Sequence, residues 1–147
     1  MFDQYNELYL KSLEVPNKTR KTASFATDEV DLHGYNAATF AVFYGDSDDT
    51  LSGSVYLSAK LQESDTSGSG FTDVDADDVI GNTSNSFGLC NAPTEDSTIY
   101  KLGYKGTKRY ARIYVTLTGT HTNGIPVAAF VVLGKAGAEP VTAQANP

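Results

Sequence analysis

Hydrophobic and polar residues alternate along most of the chain after residue 37. In "AATFAVFYG" (37–45), Phe40, Val42 and Tyr44 share one side, with Ala41 and Phe43 on the other. Side chains alternate across a strand, so this pattern predicts a strand covered at least in part on both faces. In "GSVYLSAKLQES" (53–64), Val55, Leu57, Ala59 and Leu61 form an apolar face opposite Tyr56, Ser58, Lys60 and Gln62. In "YARIYVTL" (110–117), Ala111, Ile113, Val115 and Leu117 oppose Tyr110, Arg112, Tyr114 and Thr116. These two read as half-buried antiparallel strands. "IPVAAFVVLG" (125–134) is apolar throughout and predicts a central strand, and "TIYKLGY" (98–104) predicts a further one. "TRKTASFA" (19–26) and "EVDLHGY" (29–35) predict shorter ones.

Turn-forming residues separate these runs: "GDSDDTLSG" (45–53), "DTSGSG" (65–70), "GNTSNSFG" (81–88) and "THTNG" (120–124). Asn123-Gly124 supplies the chemistry of a hairpin turn between the strands on either side. "ADDVIG" (76–81) reads as a single helical turn. Many strands and no long helical pattern predict an all-β fold, an antiparallel β-sandwich for which a jelly roll is one available wrapping.

The ends depart from the alternation. Tyr5, Leu8, Tyr9 and Leu13 fall at near-helical spacing, which predicts a short helix ending before Pro16 or an extended arm carrying aromatic anchors. The segment 136–147 is small, Pro-containing and nearly uncharged, as flexible tails are. The expected organisation is an arm or helix at 1–16, one sandwich domain at 17–135 and a tail at 136–147.

Charge changes this picture in one respect. The formal net charge is −7, but residues 41–98 carry eleven acids and one lysine, whereas residues 99–147 carry six Lys/Arg and one acid. The negative total argues against general nucleic-acid binding, which depends on neutralising phosphates. Basic strands neutralised by acidic loops account for the asymmetry more simply. No apolar run approaches the ~18 residues of a membrane span. The first fifteen residues carry Asp3 and Glu7 and lack the apolar core of a signal peptide, so synthesis in the cytoplasm is expected.

Motif chemistry is sparse. "DVDADD" (73–78) opens like a calcium loop, but the sixth and twelfth positions, Gly and Glu in an EF-hand, are Asp78 and Ser84. It and "GDSDDT" (45–50) read as solvated acidic turns. His33 and His121 lie in or beside turns with no partner at ligand spacing and are expected to be solvated. Cys90, the only cysteine, is expected to be an unreactive thiol. No catalytic residue, cofactor site or metal site is called, and the chain is not expected to be an enzyme. "KRYARIYV" (108–115) shares basic and aromatic residues with an RNA-binding strand, but lacks the glycine after the basic pair and the helices of that fold. The alternation explains it better. Tyr110, Arg112 and Tyr114 then line an outer face, and Tyr and Arg are enriched in interfaces, so they are the expected subunit contact.

The segments "VDLHGYNAATFAVFYGD" (30–46), "KLQESDTSGSGFTDVDADDVIG" (60–81), "YKLGYKGTKRYARIYVTLTGT" (100–120) and "PVAAFVVLGKAGAEP" (126–140) follow one another in a familiar order. The chain resembles the small head decoration, or cement, proteins of tailed bacteriophages over roughly residues 12–140. The resemblance implies a β-sandwich on the virion exterior, made in the host cytoplasm. It implies a homo-oligomer, commonly a trimer, whose partner is the major capsid protein. The aromatic and basic residues of the first segment, Phe2, Tyr5, Tyr9, Lys18, Arg20 and Lys21, are the expected capsid contacts. Head-fibre and tail accessory proteins, and a carbohydrate- or calcium-binding sandwich module, are the alternatives.

Overall fold

The computed structural model describes residues 4–16, 19–20 and 23–137. Among the described residues, twelve strands form two antiparallel sheets. They are β1 (Leu8–Glu14), β2 (Thr19–Arg20), β3 (Phe25–Ala26), β4 (Val30–Asp31), β5 (Tyr35–Tyr44), β6 (Tyr56–Ser64), β7 (Thr72–Asp73), β8 (Val79–Ile80), β9 (Ser86–Cys90), β10 (Thr98–Tyr104), β11 (Tyr110–Thr118) and β12 (Ile125–Ala136). A 3-10 turn at Ala76–Asp78 is the one helical element among the described residues.

Sheet I has the order β1-β12-β5-β10-β8, with β2 alongside the start of β12. In sheet II, β11 and β6 are central, β3 and β4 flank β11, and β7 and β9 flank β6. Grouping the short pieces leaves β1-β12-β5-β10 facing β3/β4-β11-β6-β9, with the chain crossing between sheets at most connections. This order is that of a jelly roll, two sheets wound as Greek keys.

The alternation explains the packing. The inward residues Phe40, Val42, Leu57, Leu61, Ile113, Val115, Val131 and Leu133 are essentially inaccessible. Most of their outward neighbours are half-buried, although Ala41 and Gly134 are buried as well. Burying each large apolar side chain contributes about 1.5–3 kcal/mol. Register is therefore strongly specified, because a one-residue slip of β11 against β6 would turn Arg112 into the core and Ile113 out.

Two sequence expectations are corrected. Residues 8–14 form neither a helix nor a free arm. They pair with β12 as an edge strand, Tyr9 opposite Leu133 and Lys11 opposite Val131, and Leu13 enters the core. The sandwich therefore begins before residue 17. Residues 119–124 do not close a hairpin, because β11 and β12 belong to different sheets. Of the Asn123-Gly124 pair only Gly124 takes positive φ, +82°, whereas the type I′ hairpin turn that Asn-Gly favours requires it at both. Gly119 provides the exit from β11, with φ +80° and a Cβ position that would lie 2.3 Å from the Ser54 carbonyl oxygen. The predicted tail begins at the last residue of β12, Ala136.

Ile113→Ala, at the centre of the inward row, should lower stability by about 2–5 kcal/mol. Urea unfolding followed by circular dichroism measures this.

Candidate functional site

The basic, aromatic face predicted on β11 exists, and the acidic loops meet it. Tyr110, Arg112 and Tyr114 project outward from sheet II and are half-buried. Arg112 donates from Nε and Nη2 to Gln62 Oε1 at 3.0 and 2.9 Å, and its guanidinium lies 4.0 Å from the centre of the Phe71 ring. Lys60 lies over Tyr114 at 5.5 Å and pairs with Asp73 at 2.6 Å. Arg109 lies over Tyr110 at 5.1 Å and holds Asp31 through a bond of 2.7 Å from Nη2 and one of 3.1 Å from Nε. Lys108 pairs with Asp65. These pairs are exposed, so each contributes little to stability. Their effect is to neutralise the strand locally. Hydrogen bonds from Arg109 hold the Asp31 carboxyl below its ordinary range, while desolvation opposes the Lys60 and Gln62 bonds that lower Asp73.

The other acidic turns serve as backbone clips. Asp49 Oδ1 accepts from the amides of Thr122 and Asn123 at 3.1 and 2.8 Å, and Oδ2 accepts from Gly124 at 2.7 Å. These amide bonds lower its pKa. Glu95 Oε2 accepts from Asn91 and Ala92. Glu29 accepts from Ser67 and Gly68, whose bonds lower its pKa. Among the described residues, no group of three or more His, Cys, Asp and Glu side chains is placed to hold a metal ion.

The histidines behave differently from each other. His33 is exposed, as expected. His121 is not: its side chain is fully buried behind Asp49. Its Nε2 lies 3.1 Å from the Thr118 carbonyl, and Nδ1 lies 3.8 Å from Asp49 Oδ2 without a hydrogen bond. The partner is distant in sequence, so no local spacing could reveal it. Cys90 is buried, and desolvation pushes its thiol up to about 11, which leaves it unreactive at neutral pH.

A second buried pair was not legible in the sequence. Tyr104 Oη donates to Glu63 Oε2 at 2.6 Å inside the sandwich and accepts from the Lys108 amide at 3.1 Å. Burial and the Glu63 carboxylate push the Tyr104 phenol well above its ordinary value. Tyr104 also lines a cleft of about 390 Å³ at the end of the sandwich where β5 begins, together with His33, Lys105, Lys108 and Arg109.

Of the expected capsid contacts, Phe2, Lys18 and Lys21 lie outside the described residues. Arg20 is placed by its backbone opposite Ile125. Tyr5 is 73% exposed ahead of β1. Tyr9 turns inward from β1 and packs its ring 6.1 Å from that of Tyr35. The structure thus separates Tyr5 from Tyr9: the first is exposed and the second packs against the sandwich core.

Tyr104→Phe should cost about 1–3 kcal/mol, because it leaves the buried Glu63 carboxylate without its donor. Urea titration at pH 7 checks this. Asp49→Ala should lower the melting temperature by a few degrees at pH 7. A carboxylate whose folded pKa is depressed stabilises fully above its ordinary value, 3.8 here, and loses that contribution as pH falls through the folded value. The gap between wild type and Asp49→Ala should therefore close in acid, as thermal melts across pH will show.

No family model matches the chain, and no curated protein sequence matches it.

Proposed function

We propose that this protein is a non-enzymatic virion component that decorates and stabilises the head of a tailed bacteriophage. It binds the outer surface of the major capsid protein as a homo-oligomer. The resemblance of the ordered sequence segments supports this reading, and so does the construction of the scaffold. The single observation that carries most weight is how the loops are closed. Asp49, Glu95 and Glu29 spend their carboxylates on backbone amides of neighbouring turns. Such loops are stiff, and the broad sheet faces are left as the contact surfaces. A cement protein needs that combination, because it must resist deformation while spreading contact over neighbouring capsomers. Repetition over a symmetric particle then gives avidity to modest individual contacts.

Co-sedimentation with undecorated capsids of the source phage tests the reading. The protein should pellet with the particles at a saturable stoichiometry and raise their resistance to heat. A protein that stays in the supernatant at saturating concentration would exclude the reading.

A further inference from the structure

The two outer faces of the sandwich differ in chemistry. That of sheet II is polar: Tyr110, Arg112, Tyr114 and Thr116 from β11 lie beside Ser58, Lys60 and Gln62 from β6. This is the ordinary solvated face of an antiparallel sheet. The outward row of sheet I is largely apolar. The strand registers bring Leu10 opposite Val132, Phe130 opposite Ala41, and Phe43 opposite both Ala128 and Ile99. Ile80 of β8 extends the face beyond Gly103. Ile99, Ile80 and Leu10 are 60, 57 and 44% exposed. Among the described residues, Lys101 interrupts the face opposite Ala41. Large contiguous apolar patches on soluble proteins mark interaction sites.

We infer that the outer face of sheet I is the surface through which two copies of this chain associate, packed sheet to sheet about a two-fold axis. This rests on the homo-oligomeric part of the proposed function. It places the contact on sheet I rather than at Tyr110, Arg112 and Tyr114, and makes the unit a pair rather than the trimer that the resemblance implies.

Two observations select a second copy as the occupant. The first is size. Four long strands about 4.8 Å apart and about seven residues long, with β8 at the margin, cover roughly 500 Å² per copy. Two such faces bury roughly 1,000 Å², the threshold for a specific interface. The second is charge. A cleft of about 490 Å³ at one end of the face is lined by Lys101, Lys105 and Lys135, with no carboxylate in its lining. Lys135 sits between partners of Ala37 and Tyr35, and Lys105 follows Tyr104, the partner of Ala38, so both lie where β5 begins. The exposed Asp46 and Asp48 follow directly where β5 ends, about 30 Å away at the rise of a ten-residue strand. A two-fold axis lying between the sheets and perpendicular to the strands runs the two copies in opposite directions. It sets Lys105 and Lys135 of each copy toward Asp46 and Asp48 of the other, with the apolar rows and Lys101, opposite Ala41, between them. The reverse alignment would stack lysine on lysine.

Light scattering coupled to size exclusion at micromolar concentration tests the inference. Wild type should have twice the chain mass. Ile80→Asp combined with Ile99→Asp should give the single-chain mass with an unchanged circular dichroism spectrum, since both side chains are more than half exposed in the single chain. Arg112→Glu combined with Tyr114→Ala, on the other face, should keep the double mass. An Ile80/Ile99 variant that stays paired, or loss of pairing in the Arg112/Tyr114 variant, would overturn the inference. So would a wild-type trimer, which leaves the capsid reading intact. A wild-type monomer would remove both the inference and the homo-oligomeric part of that reading. Capsid co-sedimentation then decides separately whether the monomer still decorates.

Discussion

The burial of one shared apolar layer between two sheets governs everything else in the molecule. β5 and β12 supply one side of that layer, β6 and β11 the other, and every second residue on each is committed to it. The commitment fixes strand register and thereby decides what points outward. Arg112 cannot enter the layer without leaving a charge unpaired in an apolar interior, at a cost of several kcal/mol. The jelly-roll path follows from the same constraint. Successive strands alternate between sheets, so most connections must cross from one sheet to the other, and turn chemistry is subordinate to that crossing.

Charge is arranged around the layer rather than within it. Carboxylates from separate parts of the chain meet the cations of β6 and of the residues just before β11: Asp31 reaches Arg109, Asp65 reaches Lys108, and Asp73 reaches Lys60. The net charge of −7 and the basic stretch at 105–112 are therefore compatible without a nucleic-acid partner. Several acids do more than balance charge. Asp49 organises three consecutive amides that no strand can satisfy, and a crossing loop needs such a device because its backbone has left both ladders.

Period-2 alternation carried much of this fold. The strands at 35–44, 56–64, 98–104, 110–118 and 125–136 are legible because their inward rows are apolar at every second position. β1 was harder to recognise. It is an edge strand with leucines outward at 8 and 10, and Tyr9 and Leu13 inward, and the superposition of both sides mimics helical spacing. The crossing at 119–124 was misread because Asn-Gly reports a local bend and is silent about which sheet receives the next strand. His121 and the Tyr104–Glu63 pair depend on partners dozens of residues away, and no pattern within a short window encodes them. The expected contact residues divide for the same reason. The exposure of Tyr5 and the half-buried, inward position of Tyr9 follow from the pairing of β1 with β12, which the first fifteen residues do not announce.

The continuous apolar run of β12 and the two-sided apolar pattern of β5 carry a further physical meaning. A strand that is apolar on both sides is ordinarily covered on both sides. Among the described residues sheet II covers only the inner side of sheet I, so the outer side has the composition of a covered face that no other described element covers. Edge pairing is a poor way to provide one. β8 is only two residues long, and β1 carries an irregularity between Ser12 and Glu14, devices that blunt edge-to-edge association. With both edges of sheet I managed in this way, the broad face is the surface left for another protein to occupy. The opposed placement of lysines and aspartates along β5 makes that face complementary to itself when the strands of the two copies run in opposite directions.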